Sequence, residues 1–182
     1  MKKALFIIFS VFAVLTLMSC QSSRAITFEE PTIDLQIDGE DVANITVIPS
    51  FEGTTGLFTN IGTIGYSVSV ENKTDSIIKI VWEKSAVYYE GNSSLPFITG
   101  QKYIDSNSPM SPTVIPAHGR NKTSVYSGDQ VYYVSGSYGG WRMSNLPTFN
   151  TQLLLCIESS GGKETYYTFS INGNPIYPPE EE

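Results

Sequence analysis

Apolar residues in this chain recur at every second position. Tyr167, Phe169 and Ile171 alternate with Tyr166, Thr168 and Ser170. Tyr66, Val68 and Val70 alternate with Ser67, Ser69 and Glu71, and Ile33, Leu35 and Ile37 with Asp34, Gln36 and Asp38. A period of two sends the two sets to opposite faces of a β-strand. Beyond residue 20 no segment carries the 3.6-residue repeat of an amphipathic helix. The chain must therefore bury its apolar faces by packing sheet against sheet.

Turn residues divide the strands. Ile45-Thr46-Val47-Ile48 is expected to stop at Pro49, and Gly53 to Gly65, rich in Gly and Thr, to form a loop or weak edge strand. Ile77 to Val81 is apolar on both faces except for Lys79, which marks a central strand. Gln152 to Glu158 reads as a second buried strand, joined through Ser160-Gly161-Gly162-Lys163 to Thr165–Ile171 as a hairpin. Short strands with turn signals every eight to twelve residues predict an all-β fold. The expected architecture is an antiparallel β-sandwich of about eight or nine strands over residues 32–177, with a small closed β-barrel as the alternative. Residues 20–31 read as a polar tether and 178–182 as a disordered acidic tail.

The middle of the chain resembles the immunoglobulin-like domains of bacterial surface lipoproteins. Three stretches carry the likeness: Tyr66-Ser67-Val68-Ser69-Val70-Glu71-Asn72-Lys73-Thr74, Ile78-Lys79-Ile80-Val81-Trp82, and Thr113-Val114-Ile115-Pro116-Ala117-His118-Gly119. The paired cysteines of antibody-type domains are absent, so the resemblance implies no disulfide.

The first twenty residues point to a location. Lys2 and Lys3 precede an apolar run, Ala4 to Met18, broken only by Ser10 and Thr16. That run falls short of the roughly 20 residues a spanning helix needs and has the order of an export signal. It ends in Leu17-Met18-Ser19-Cys20, which resembles the lipobox of bacterial lipoproteins. The resemblance implies cleavage after Ser19, diacylglycerol on the Cys20 thiol and an acyl group on its new amino terminus, with no other cofactor. Anchoring in the bacterial cell envelope follows, since two or more acyl chains hold where one is marginal. Gln21 stands where an inner-membrane retention signal would have Asp, which favours the outer membrane in a Gram-negative source.

Of the 11 basic and 18 acidic residues, two basic ones and no acid lie in residues 1–19, so the remainder carries a formal charge of −9. That balance leaves no basic patch for nucleic acid. With Cys20 acylated, Cys156 in Leu153-Leu154-Leu155-Cys156-Ile157 has no partner, and the position reads as a small buried apolar residue.

Signals for catalysis are sparse. The lone histidine, His118, sits in a Pro-Ala-His-Gly turn, without the His and Cys companions of a metal site. No Gly-x-Ser-x-Gly elbow and no phosphate loop is present. Asp38-Gly39-Glu40-Asp41 is a weak surface cation candidate, and Asn44, Asn72, Asn92 and Asn121, each in Asn-x-Ser/Thr, read as turn residues. The chain is expected to be non-catalytic. Paired carboxylates acting on an envelope glycan, or a structural subunit that pairs edge strands, are the alternatives.

The feature with binding chemistry is aromatic. Tyr88-Tyr89, Tyr132-Tyr133 and Tyr166-Tyr167 are adjacent pairs in expected strands, so one ring of each should face outward. A stripe of Tyr89, Tyr133 and Tyr167, with Trp141 from the glycine-rich stretch beside it, would offer apolar area with polar handles to a protein or a glycan.

Overall fold

A computed structural model describes residues 24–55 and 60–179. The export signal, Cys20 and the last three residues of the acidic tail lie outside the described residues. Sixteen strands follow in order: β1 Arg24–Ala25, β2 Thr27–Phe28, β3 Thr32–Asp38, β4 Ala43–Thr55, β5 Asn60–Asn72, β6 Ile78–Ile80, β7 Ala86–Tyr89, β8 Asn92–Ser94, β9 Pro96–Ile98, β10 Thr113–Ile115, β11 Arg120–Ser127, β12 Val131–Val134, β13 Gly140–Met143, β14 Asn150–Glu158, β15 Glu164–Asn172 and β16 Pro175–Ile176. Single 3-10 turns at Trp82–Lys84, Tyr103–Asp105 and Gly128–Gln130 are the helical elements among the described residues.

The protein is an antiparallel β-sandwich. One sheet has the order β1-β4-β5-β11-β9 and the other β10-β6-β14-β15-β3, with β7 also pairing β14 and β8 pairing β7. Leaving the short edge strands aside, β4-β5-β11-β9 faces β6/β7-β14-β15. That is the four-plus-three strand order of a constant-type immunoglobulin sandwich, with β3 added beyond β15. Trp82, which opens the 3-10 turn just after β6, is fully buried and donates its Nε1–H to Thr113 Oγ1 at 2.9 Å. Cys156, on β14, is buried and unpaired. Leu153, Leu155 and Ile157 take the core side of β14, so Cys156 occupies the face turned away from β5. Burial pushes its thiol up.

The core lies between the two inner faces. Val47, Tyr66, Val68, Val70 and Val125 meet Ile78, Ile80, Val87, Leu153, Leu155, Tyr167, Phe169 and Ile171. Fully burying one such aliphatic side chain contributes about 1.5–3 kcal/mol. Alternation along β15 is complete: Thr165, Tyr167, Phe169 and Ile171 are buried and the residues between them half-buried.

Three sequence expectations are corrected. Pro49 does not end its strand. β4 runs on to Thr55, with Pro49 opposite Tyr66 and a bulge between Ser50 and Phe51. On its other side β4 is paired only at Thr54 and Thr55, by β1, so a missing N–H at Pro49 costs no ladder bond there. Gly53 to Gly65 is not a weak edge: it supplies the end of β4 and the start of β5, two neighbouring strands within the sheet. The tether is shorter than expected. Arg24–Ala25 pairs with Thr54–Thr55, Thr27–Phe28 pairs with Pro175–Ile176, and Ile26 N–H donates to Gly53 O at 2.8 Å. From Arg24, the first described residue, this stretch is tied into the fold.

Candidate functional site

The described residues bring Tyr133 and Trp141 together and set Tyr89 and Tyr167 apart from them. The site grows from the foot of β11. Ser127 precedes the Gly128–Gln130 turn, and its N–H donates to Gln130 Oε1 at 2.8 Å. The Gln130 amide then donates to Thr63 O at 3.2 Å and to Ile64 O and Ser144 O at 2.8 Å each. Ser144 N–H returns a bond to Gln130 O at 2.9 Å. Gln130 is 2% exposed, so this buried polar side chain is fully engaged, as burial demands. Below it Thr63 N–H donates to Leu146 O and Thr148 O, and Leu146 N–H to Thr63 O. Gly62, at φ 140°, permits that approach, because a Cβ there would lie 1.6 Å from Leu146 O.

From this root β12 and β13 form a two-stranded hairpin that pairs with no other strand among the described residues. Tyr133 stands opposite Trp141, their ring centroids 5.5 Å apart and tilted by 68°, an edge-to-face pair. Tyr132 stands opposite Arg142, whose Nη2 donates to Tyr138 O at 3.1 Å across the tip. Tyr138 is 91% exposed and Tyr133 61%. The expectation that one ring of each pair points inward fails at Tyr132-Tyr133, since both faces of an isolated ribbon meet solvent. Apart from Val131, Val134 and Met143, the hairpin is made of Tyr, Ser, Gly, Trp and Arg. Antibody paratopes use the same set, for rigid aromatic area at low entropic cost and adaptable polar contacts.

Tyr89 and Tyr167 point inward. Tyr89 shares the parity of buried Val87, packs against the core, and donates its hydroxyl to Asp129 Oδ2 at 3.2 Å. Tyr167 shares the parity of Phe169 and Ile171. Its hydroxyl accepts the N–H groups of Val42 at 2.8 Å and Ala43 at 3.0 Å and donates to Asp41 Oδ1 at 3.1 Å. Burial raises its pKa. It is a strut between β15 and the start of β4. The outward rings of these two pairs are Tyr88 and Tyr166. Tyr166 donates to Glu164 Oε2 at 2.8 Å, and Glu164 also holds the Lys84 ammonium.

Tyr88 borders a shallow groove that the sequence did not single out. About 380 Å³ in volume, it lies on the outer face of β7, β14 and β15, lined among others by Asn92, Asn150, Gln152, Ser170 and Asn172. Glu90, at φ 47°, and Gly91, at φ 78°, form the two-residue turn at its rim. Glu90 is its one carboxylate; a second cavity of about 380 Å³ is likewise lined by one, Asp105.

The remaining polar candidates have structural partners. His118 Nε2 meets Asp75 Oδ1 at 2.8 Å on an exposed turn. In the proposed cation loop, Glu40 binds Lys163 at 2.9 Å and Asp41 binds Lys73 at 2.6 Å. The Lys73 hydrogen bond holds the Asp41 carboxyl below its usual range. Asn72 is buried and donates to Ser76 O and Pro116 O, tying two turns together. Among the described residues no group of three or more His, Cys, Asp or Glu is placed to hold a metal ion.

No family model, no curated protein and no solved structure matches this chain.

Proposed function

We propose that this protein is a non-catalytic cell-envelope lipoprotein, anchored through acylated Cys20, whose sandwich presents the β12–β13 hairpin to an envelope protein or a wall glycan. The observation that carries the binding part is the Tyr133–Trp141 pair: two large rings packed edge to face, Tyr133 61% and Trp141 37% exposed, on a ribbon riveted at its base by Gln130. A rigid aromatic anchor loses little entropy on binding, and such residues dominate interface energetics. The lipobox-like Leu17-Met18-Ser19-Cys20 carries the anchor part. The first described residues after Cys20, Arg24–Ala25, lie along Thr54–Thr55 of β4, the strand next to the β5 that roots the hairpin.

Two measurements test the two parts separately. Intact mass of the protein from a bacterial host should show acyl mass on the peptide beginning at Cys20, absent in Cys20→Ala. An unmodified Cys20 in a host that lipidates other lipoproteins removes the anchor. Cross-linking in intact envelopes from a photoreactive group at position 138 should join the hairpin to one envelope protein or to wall glycan, and Tyr133→Ser with Trp141→Ser should abolish the product. An undiminished product removes the binding role of the pair.

A further inference from the structure

Strand β3 carries a surface that the binding hairpin does not explain. It pairs with β15 on one side and ends the seven-stranded sheet on the other. All seven of its residues are exposed. Ile33, Leu35 and Ile37 lie opposite Ile171, Phe169 and Tyr167, so they continue the inner, core-facing side of the sheet. The facing sheet stops at β4 and the two residues of β1, and the three side chains are left 36%, 45% and 41% exposed. A long edge with an uncovered apolar row invites pairing, and proteins that must prevent it place Pro, charged side chains or a bulge there. Thr32–Asp38 has no Pro, Lys or bulge, and its two charges, Asp34 and Asp38, lie on the face away from the apolar row.

We infer that β3 pairs antiparallel with β3 of a second copy, in the register that sets Leu35 opposite Leu35. The charges select that register. A two-fold axis at Leu35 puts Ile33 opposite Ile37, Asp34 opposite Gln36 and Thr32 opposite Asp38, so no two acids face each other. An axis at Asp34 opposes two Asp34 side chains, and an axis at Gln36 opposes Asp34 to Asp38; like charges directly opposite are destabilising. The Leu35 register also pairs all seven residues and joins the two apolar rows into one. The interface is isologous, as in most homodimers. One strand edge buries less than the 1,200–2,000 Å² of a typical stable complex, so the dimer is weak in solution and favoured where copies are concentrated on a surface.

The pairing does not depend on the anchor, and its test is a cross-linking pattern in the full chain. Opposed residues have Cβ atoms about 4.5–5.5 Å apart, within reach of a short bismaleimide. Positions two pairs removed from the axis are separated by about 13 Å from their own copies. Leu35→Cys should therefore link to itself and Ile33→Cys should not, while a mixture of Ile33→Cys and Ile37→Cys should link to each other. Wild type, with Cys156 buried, gives the background, and mass spectrometry of the linked peptides separates any product through Cys20. Leu35→Asp, at an exposed position, should weaken self-association in sedimentation equilibrium by about tenfold or more, with an unchanged circular dichroism spectrum. Equal linking of Leu35→Cys and Ile33→Cys, no linking of Leu35→Cys, or its linkage to a different protein alone would each overturn the proposal.

Discussion

Gln130 donates its side-chain amide to the carbonyl of Ile64 at 2.8 Å, and through that bond the exposed hairpin is fastened to the central strand of the sandwich. The same amide reaches Thr63 O and Ser144 O, so one side chain joins β5, the turn before β12 and the exit from β13. A hairpin with no sheet neighbours owes its orientation to this junction.

Replacing Gln130 with Leu keeps the volume and removes every one of those bonds. Three carbonyls and the Ser127 N–H then lose a buried partner, each at a cost of about 1–3 kcal/mol when nothing substitutes. Hydrogen exchange should accelerate through residues 128–146 ahead of the sandwich strands, and the melting temperature should fall. Exchange unchanged in that segment would show that the junction is held by something else.

Gly62→Ala attacks the junction from the other side. The new Cβ meets the Leu146 carbonyl, and the backbone at φ 140° disfavours any L side chain. The expected outcome is loss of the Thr63–Leu146 bridge, read as new exchange at both amides, with the β14–β15 ladder still protected.

Tyr167→Phe leaves the N–H groups of Val42 and Ala43 facing a ring edge instead of a hydroxyl. The apolar packing survives, so the cost is that of stranded donors, about 1–3 kcal/mol in chemical denaturation. If Tyr167 were instead an outward binding residue, the substitution would leave stability untouched.

Stability should fall at both ends of the pH scale. The carboxyls of Asp41 and Glu164 are held low, chiefly by their lysine partners. A depressed folded pKa gives stability that is present above the ordinary carboxylate range and is lost as pH drops through the lower folded value. At the alkaline end burial pushes Tyr66 up from 10.0 to about 12. A raised folded pKa gives stability that is complete below 10 and is lost between 10 and about 12, roughly 3 kcal/mol for that shift. Tyr66→Phe should make the alkaline limb of a melting-temperature profile shallower, the raised Tyr167 and Cys156 keeping part of it, and leave the acid limb alone.

The strands were legible because their pattern is local. Along β15, six alternating residues name both the element and its buried face, and β14 announces itself through continuous apolar character. What escaped depends on partners far along the chain. Tyr89 and Tyr167 could be placed inward only by giving weight to Val87, Phe169 and Ile171, which share their parity. Pro49 passes within β4 because that side of the strand is open, a fact about strand order. Gln130 carries one local signal, the Ser127-x-x-Gln130 capping box, but it becomes a rivet only because carbonyls from residues 63, 64 and 144 converge on it. The sequence suggests Tyr133 on a stripe with Tyr89 and Tyr167 and Trp141 from a loop beside it; the structure sets Tyr133 and Trp141 opposite each other on a separate ribbon.

Arg24 Nη1 donates to Pro179 O at 2.8 Å, and Thr27–Phe28 is zipped to Pro175–Ile176. The two ends of the folded body therefore leave from one spot. Joined there by a few glycines, the chain would be a closed loop that could be cut open elsewhere, for instance at Gly161-Gly162, where added side-chain atoms meet no neighbour. A permuted chain of that kind would keep both sheets and carry its termini at the β14–β15 turn, at the other end of those strands from the Thr32–Asn172 pair.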